Sequence, residues 1–238
     1  MSDDISESAE YGPLLSCPVC CGSGFVHPRD SNGAVIREKI IPCVAPGCLA
    51  DSISEFRTGH SFYTTKGITA AEQTFQNFQH RQGTETALKF AQQFAQGNEQ
   101  WIFLLIYGGV GNGKTHLCNA IAKAVLGRGL DVSLTTTSQL LSKLRIAMQN
   151  HTTDDLLDKL KHSLVLIVDD WGVEYGSDWE KATLEDLLTS RYATGMPTVV
   201  TTNLDMNDLP VRVRSRFEDK RYSRIAHNAA PDFRATSR

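Results

Sequence analysis

No stretch of this sequence stays apolar long enough to cross a bilayer. Its acidic opening, MSDDISESAE, lacks the basic start and apolar run of a secretory leader. These absences predict a cytoplasmic chain with no membrane partner. Charge of one sign is also lacking: the formal net charge is −3, so nothing global points to nucleic acid. No basic run is interleaved with aromatics. Cysteine is scarce beyond residue 48. Of the six cysteines, five lie between Cys17 and Cys48, and only Cys118 stands apart. In a cytoplasmic chain that clustering speaks against disulfides and for metal. Cys118 reads as a small buried apolar residue. The 238 residues, 41% hydrophobic and 21% charged, suffice for one sizeable soluble core plus a smaller unit.

The most informative stretch is residues 101–115, WIFLLIYGGVGNGKT. Its first seven residues are continuously apolar, as in a strand buried on both faces of a parallel sheet. It then matches the phosphate-binding pattern G-x-x-x-x-G-K-[ST] over Gly108, Gly109, Val110, Gly111, Asn112, Gly113, Lys114 and Thr115, with His116 next in the candidate nucleotide-contacting run. The glycines let the backbone wrap closely around a polyphosphate with its N–H groups inward. Lys114 reaches the β- and γ-phosphates, and the Thr115 hydroxyl serves Mg²⁺. A helix opens at Thr115 with its positive dipole end toward the anion. Strand, loop and helix stand in the order that ATP or ADP binding requires.

Upstream, residues 1–12 read as disordered. Cys17 and Cys20 form one knuckle, Cys43 and Cys48 a second, and residues 25–41 between them suit a short hairpin through Ser31, Asn32 and Gly33. Two knuckles joined by a hairpin give the layout of a zinc ribbon, with these four cysteines as structural Zn²⁺ ligands. The second gap is wider than C-x-x-C, which leaves Cys21 and His27 as alternative ligands. Residues 51–69 read as a short helix and a linker.

Downstream, a helix over 84–96 buries Ala87, Leu88, Ala91, Phe94 and Ala95 and ends at Gly97. A strand over 131–135 precedes a helix capped near Thr137 or Ser138. That helix buries Leu140, Leu141, Leu144, Ala147 and Met148 and carries Lys143 and Arg145 outside. A short helix over 153–161 follows. A buried strand over 163–168 ends in Asp169 and Asp170. An acid on a strand neighbouring the phosphate loop holds Mg²⁺ through water, which suits Asp169. Asp170 is then free to orient or deprotonate the attacking water. A helix over 179–192 returns to a strand over 198–202, ending at Asn203 between the γ-phosphate and the acidic strand; by itself Asn203 is an ordinary turn former. Arg212, Arg214 and Arg216 lie on a short final helix. An arginine there either stabilises transition-state charge on an adjoining subunit or simply faces solvent. Residues 212–238 hold eight Lys or Arg against Glu218, Asp219 and Asp232, which suits either phosphate contact or a solvated charged face.

TFQNF, YGGVGNGKTHL, LVLIVDDWG, VVTTNL and RVRSRFED together resemble the AAA+ ATPases, and more closely the DnaC/DnaI-type replicative helicase loaders, over residues 70–234. The resemblance implies an α/β fold: an AAA+ P-loop core with a parallel sheet over 73–238 and no C-terminal lid. A zinc-bearing, helicase-binding domain over 1–60 and a linker over 61–72 would precede it. It implies that Asn203 is the sensor asparagine, that Arg216, supported by Arg212, is the arginine finger, and that Lys143 and Arg145 face DNA. Asp170 stands where many AAA+ proteins have Glu, which suggests modest hydrolysis, and the resemblance implies that DNA stimulates it. The implied partners are a hexameric DnaB-type helicase, single-stranded DNA and further copies of this chain stacked head to tail with ATP. The alternatives are an IstB-type transposition helper acting on duplex DNA, and a nucleotide-gated interaction module with little turnover.

Overall fold

The computed structural model describes residues 25–26, 41–42, 72–97, 99–128, 130–172 and 176–233. The chain divides into two compact units, Met1–His60 and Ser61–Arg238. In the first, β1 (Phe25–Val26) pairs antiparallel with β2 (Ile41–Pro42), Val26 opposite Ile41. The hairpin expected between the cysteine pairs therefore has its open end in place. Its turn, residues 1–12 and 51–69, and the candidate ligands Cys17, Cys20, Cys21, His27, Cys43 and Cys48 lie outside the described residues.

The second unit contains β3 (Phe103–Tyr107), β4 (Val132–Thr136), β5 (Val165–Trp171), β6 (Thr198–Thr202) and β7 (Ser223–His227). They form one parallel sheet in the order β4-β5-β6-β3-β7. The helices are α1 (Glu85–Gln96), α2 (Lys114–Gly127), α3 (Thr137–Gln149), α4 (Thr153–His162), α5 (Asp178–Ala193) and α6 (Val211–Glu218). The strands alternate between two cores, as period-2 side chains must. Leu104 and Ile106 of β3 join Leu117, Ile121 and the buried face of α1 on one side. Phe103 and Leu105 join Leu144, Leu187 and Phe217 on the other. The sheet is thus covered on both faces, which explains why β3 is apolar throughout.

Local chemistry sets the helix ends. Gly97 closes α1 in the left-handed region, at φ 66°. Thr136 and Gln139 form a capping box on α3, and Ser177 and Glu180 form another on α5. The buried face expected for α1 is the one observed. On α3, Met148 proves 52% exposed rather than buried. It lies one residue past Ala147, about 100° around the helix and off the core stripe. The short strand β7 has no counterpart among the expected elements. Its polar sequence, SRIAH, suits an edge strand that buries only Ser223 and Ala226 fully.

At the end of the sheet remote from the phosphate loop, Arg191 is completely buried with no carboxylate partner among the described residues. Its guanidinium donates instead to the carbonyls of Leu160, Lys161, Ser163 and Pro197, at 2.6, 3.0, 2.8 and 2.7 Å. Nε donates to the Thr198 hydroxyl at 2.9 Å. A cation at the C-terminus of α4 thereby ties that helix to the starts of β5 and β6. Burial pulls its pKa down to about 9, which leaves it protonated at neutral pH. Arg191→Leu leaves four carbonyls without this donor. At roughly 1 kcal/mol or more for each, the substitution is expected to cost at least about 3 kcal/mol. Thermal denaturation should show a fall in Tm of roughly 10 °C; an unchanged Tm would show that water replaces the guanidinium freely.

Candidate nucleotide site

The site lies beyond the C-terminal ends of the strands, where parallel α/β sheets hold their ligands. β3 leads into the loop, and α2 begins at Lys114, with Gly113 as its N-cap at φ 95°. Lys114 is buried, and its ammonium donates to the carbonyls of Gly108 at 2.8 Å and Gly109 at 2.6 Å and to Asn112 Oδ1 at 3.2 Å. The ammonium therefore sits over the mouth of the loop, where a polyphosphate would take over these bonds. Gly109 and Val110 are exposed at the loop tip.

The Thr115 hydroxyl donates to Asp169 Oδ2 at 2.8 Å, so the two candidate Mg²⁺ residues meet. A hydroxyl and a carboxylate at this spacing are the hard oxygen donors that Mg²⁺ takes, directly or through water. β5 does not adjoin β3, however; β6 lies between them. The expectation of an acid on the neighbouring strand is corrected in that respect: Asp169 reaches Thr115 across the end of β6. This geometry depends on a bulge. Val168 pairs with Val200 and Trp171 with Thr202, so Asp169 and Asp170 together face the single residue Thr201. The Thr201 hydroxyl fills the irregularity, donating to Asp169 Oδ1 at 2.5 Å and accepting from the Asp170 N–H at 3.0 Å. Asp170 takes φ 58°, unusual for a residue with a side chain. The Asn203 amide donates to its carboxylate at 2.7 Å.

Burial raises the Asp170 pKa, the adjacent Asp169 raises it further, and Lys114 opposes both. Cys118 lies behind the site, buried as expected, with its thiol 3.6 Å from Asp169 Oδ1. Burial, then the Asp169 charge, pushes that thiol well up, so it remains a neutral S–H. His116 lies on α2, its Nε2 2.8 Å from the Thr74 carbonyl and its ring edge-on to Phe78. This docks the TFQNF segment beside the loop.

The structure thus joins Thr115, Asp169, Asp170 and Asn203 in one hydrogen-bond network through Thr201, with the Lys114 charge near enough to act on Asp170. Arg216 lies elsewhere on the chain, on α6, where it bonds to the Arg212 carbonyl at 2.7 Å and the Ser215 hydroxyl at 3.1 Å. Its Nε is buried and has no partner among the described residues. Arg145 is paired with Glu180 at 2.8 Å. Lys143 lines a shallow surface groove with Ser138, Gln139 and Ser142, and partial burial lowers its pKa. Sequence reasoning missed Thr201. The only signal for it was a hydroxyl residue two positions before Asn203, and its role needs the strand register.

The model of the IstB-like ATP binding protein family matches residues 62–222. This chain belongs to that family. It is 28% identical to the replicative helicase loader DnaC of Escherichia coli strain K12 over 151 residues, 62% of each chain. It is also 32% identical over 105 residues to a putative ATP-binding protein in an insertion sequence of Mycobacterium tuberculosis, covering 44% of this chain and 42% of that one. The DnaC match therefore spans less than two thirds of that relative's length. Among solved structures, domain III of the Thermotoga maritima initiation protein DnaA superposes with a TM-score of 0.61 at 26% identity, covering 68% of each chain. The structure of DnaI gives 0.58 at 23%, covering 71% of this chain and 94% of that one. The sheet order and phosphate loop are those of the AAA+ P-loop core. Among the described residues no helix is long and apolar enough to cross a membrane.

The raised Asp170 pKa gives the IstB-like site a pH signature. A carboxyl whose pKa rises on folding contributes stability below its unfolded value, about 4, and loses it as pH rises through the folded value. Asp170→Asn keeps the shape, and Asn tolerates positive φ well. It is expected to raise Tm at pH 7 with the gain vanishing near pH 4. If Asp170 is the general base, ATP turnover should fall about 100-fold or more while Mg-ATP still binds. A lower Tm at pH 7 would contradict the first expectation, and unchanged turnover the second.

Proposed function

We propose that this chain is an ATP-dependent loader that places a hexameric DnaB-type replicative helicase on single-stranded DNA. In this reading ATP binding drives assembly and hydrolysis drives release. Its support is the coincidence of a full set of phosphate, Mg²⁺ and water-orienting side chains with the match to a replicative helicase loader over 151 residues. Lys114 binds the β- and γ-phosphates of ATP or ADP, Thr115 and Asp169 hold Mg²⁺, and Asp170 prepares the attacking water. Asn203, already bonded to Asp170, reports the γ-phosphate. The loop residues Gly108 to Gly113 supply N–H donors, and His116 borders the nucleotide.

Arg216 acts in trans. Among the described residues no carboxylate holds its guanidinium, which bonds to the Arg212 carbonyl and the Ser215 hydroxyl, and this suits a group awaiting an anion from another copy. A head-to-tail contact of this kind builds rings or open spirals rather than closed dimers. The N-terminal unit, proposed as residues 1–60, contacts the helicase and is built on Zn²⁺ held by Cys17, Cys20, Cys43 and Cys48. Support comes from the β1–β2 pairing, which begins five residues after Cys20 and ends one residue before Cys43. Of the proposed DNA contacts, Lys143 lines an open groove, whereas Arg145 must first leave Glu180.

The deciding experiment is light scattering of the full chain with a DnaB-type helicase and ATP, beside Lys114→Ala and a chain lacking residues 1–60. A helicase complex lost on that deletion, with ATP-dependent single-strand binding lost in Lys114→Ala, is the expected result. ATP-dependent filaments on duplex DNA without a helicase complex would replace the loader by a transposition helper. Helicase binding without turnover would leave a nucleotide-gated module. Separately, metal analysis should find one zinc per chain, reduced when Cys17 and Cys43 are changed to Ser. A metal-free wild type would remove the zinc assignment.

A further inference from the structure

The phosphate loop is held from behind as well as from the ligand side. A trans peptide points its N–H and C=O in opposite directions. A loop that turns N–H groups toward an anion therefore turns carbonyls away from it, and buried carbonyls need donors. Here the donors come from the residues at and beyond the end of β7. The Asn228 side-chain amide donates to the Asn112 carbonyl at 2.9 Å. The Phe233 N–H donates to the Gly111 carbonyl at 2.9 Å. The Asn112 amide returns a bond to the Asn228 carbonyl at 2.7 Å, and the Asn228 N–H meets the Tyr107 carbonyl at 2.7 Å. Both asparagine side chains are fully buried.

These bonds act on particular peptides. The Asn228 amide fixes the plane joining Asn112 to Gly113 and so aims the Gly113 N–H. The Phe233 N–H fixes the plane joining Gly111 to Asn112 and aims the Asn112 N–H. The segment is itself anchored: the Ala229 N–H donates to the Gly83 carbonyl at 3.1 Å, and the Arg81 guanidinium stacks 4.0 Å over the Phe233 ring. Two loop glycines answer to it. A Cβ on Gly108 would come within 2.2 Å of the Asn228 carbonyl oxygen, and one on Gly111 within 1.7 Å of Asp232 Oδ1. A Cβ on Gly109 would meet nothing within 4 Å.

We propose that Asn228 and residues 229–233 are positioning elements of the nucleotide site, a strap that orients the loop's N–H groups by bonding their carbonyls from behind. The proposal rests on the nucleotide reading above. It predicts that changes in the strap weaken nucleotide binding without touching any group that contacts nucleotide.

The test measures Mg-ATP and Mg-ADP affinity by calorimetry on the full chain, with the ligand-free Tm measured alongside. Asn228→Asp replaces the donor by a carboxylate oxygen facing the Asn112 carbonyl. Phe233→Pro removes the N–H donor together with the half-buried ring that Arg81 stacks on, whereas Phe233→Ala removes the ring alone and keeps the N–H. Affinity should fall about tenfold in Asn228→Asp and about fivefold in Phe233→Pro, with most of the loss recovered in Phe233→Ala. The ligand-free Tm of Phe233→Pro should stay near wild type, which keeps the test valid even if Asn228→Asp folds poorly. Wild-type affinity in Phe233→Pro, or equal losses in the Pro and Ala variants, would overturn the strap. Absence of Mg-ATP binding by the wild type, or binding by Lys114→Ala equal to it, would instead overturn the nucleotide reading and the strap with it.

Discussion

Two consecutive carboxylates on a regular strand point to opposite faces of the sheet, yet this site requires both at one end of it. The Thr201 hydroxyl resolves that conflict by donating to Asp169 and accepting from the backbone of Asp170, so that two residues of β5 fit against one of β6. The bulge turns Asp169 toward Thr115 at the start of α2 and leaves Asp170 in reach of Asn203. Side chains carried on different strands become one hydrogen-bonded line. The left-handed backbone of Asp170 is the local strain this arrangement stores, of the kind found where geometry serves a site.

The line works only if β5, β6 and β3 keep their register, and that is secured at both ends of the sheet. At the remote end, Arg191 gathers the last carbonyls of α4 with those beside the starts of β5 and β6. At the ligand end, Asn112 and Asn228 exchange bonds between the loop and the exit of β7. Between these ties the strands are buried on both faces under helices, which supplies cohesion but no alignment of its own. The polar groups are few, buried and bonded, and they choose one arrangement among many that the apolar core tolerates.

Much of this was legible in the chain. The run 101–107 names its environment because only a doubly covered strand is apolar at every position. The spacing from Gly108 to Thr115 names an anion because few other constraints demand that pattern. The face of α1 follows from helical periodicity, and Asn203 and Asp170 were placed by order along the chain. Less accessible were β7, whose polar residues suit an edge strand but also an ordinary loop, and Met148, where one step around a helix decides between core and solvent.

Sequence alone determined most of the elements, the phosphate-loop pattern and the family, because each depends on residue types at short, fixed spacings. The tertiary structure decided what depends on residues far apart in the chain. It placed β6 between the loop strand and the acidic strand, and it gave Thr201 a task by setting it opposite a bulge. It also showed that Gly108 and Gly111 make room for the chain's own Asn228 and Asp232. A glycine in a motif says that something approaches closely; only the folded chain shows what does.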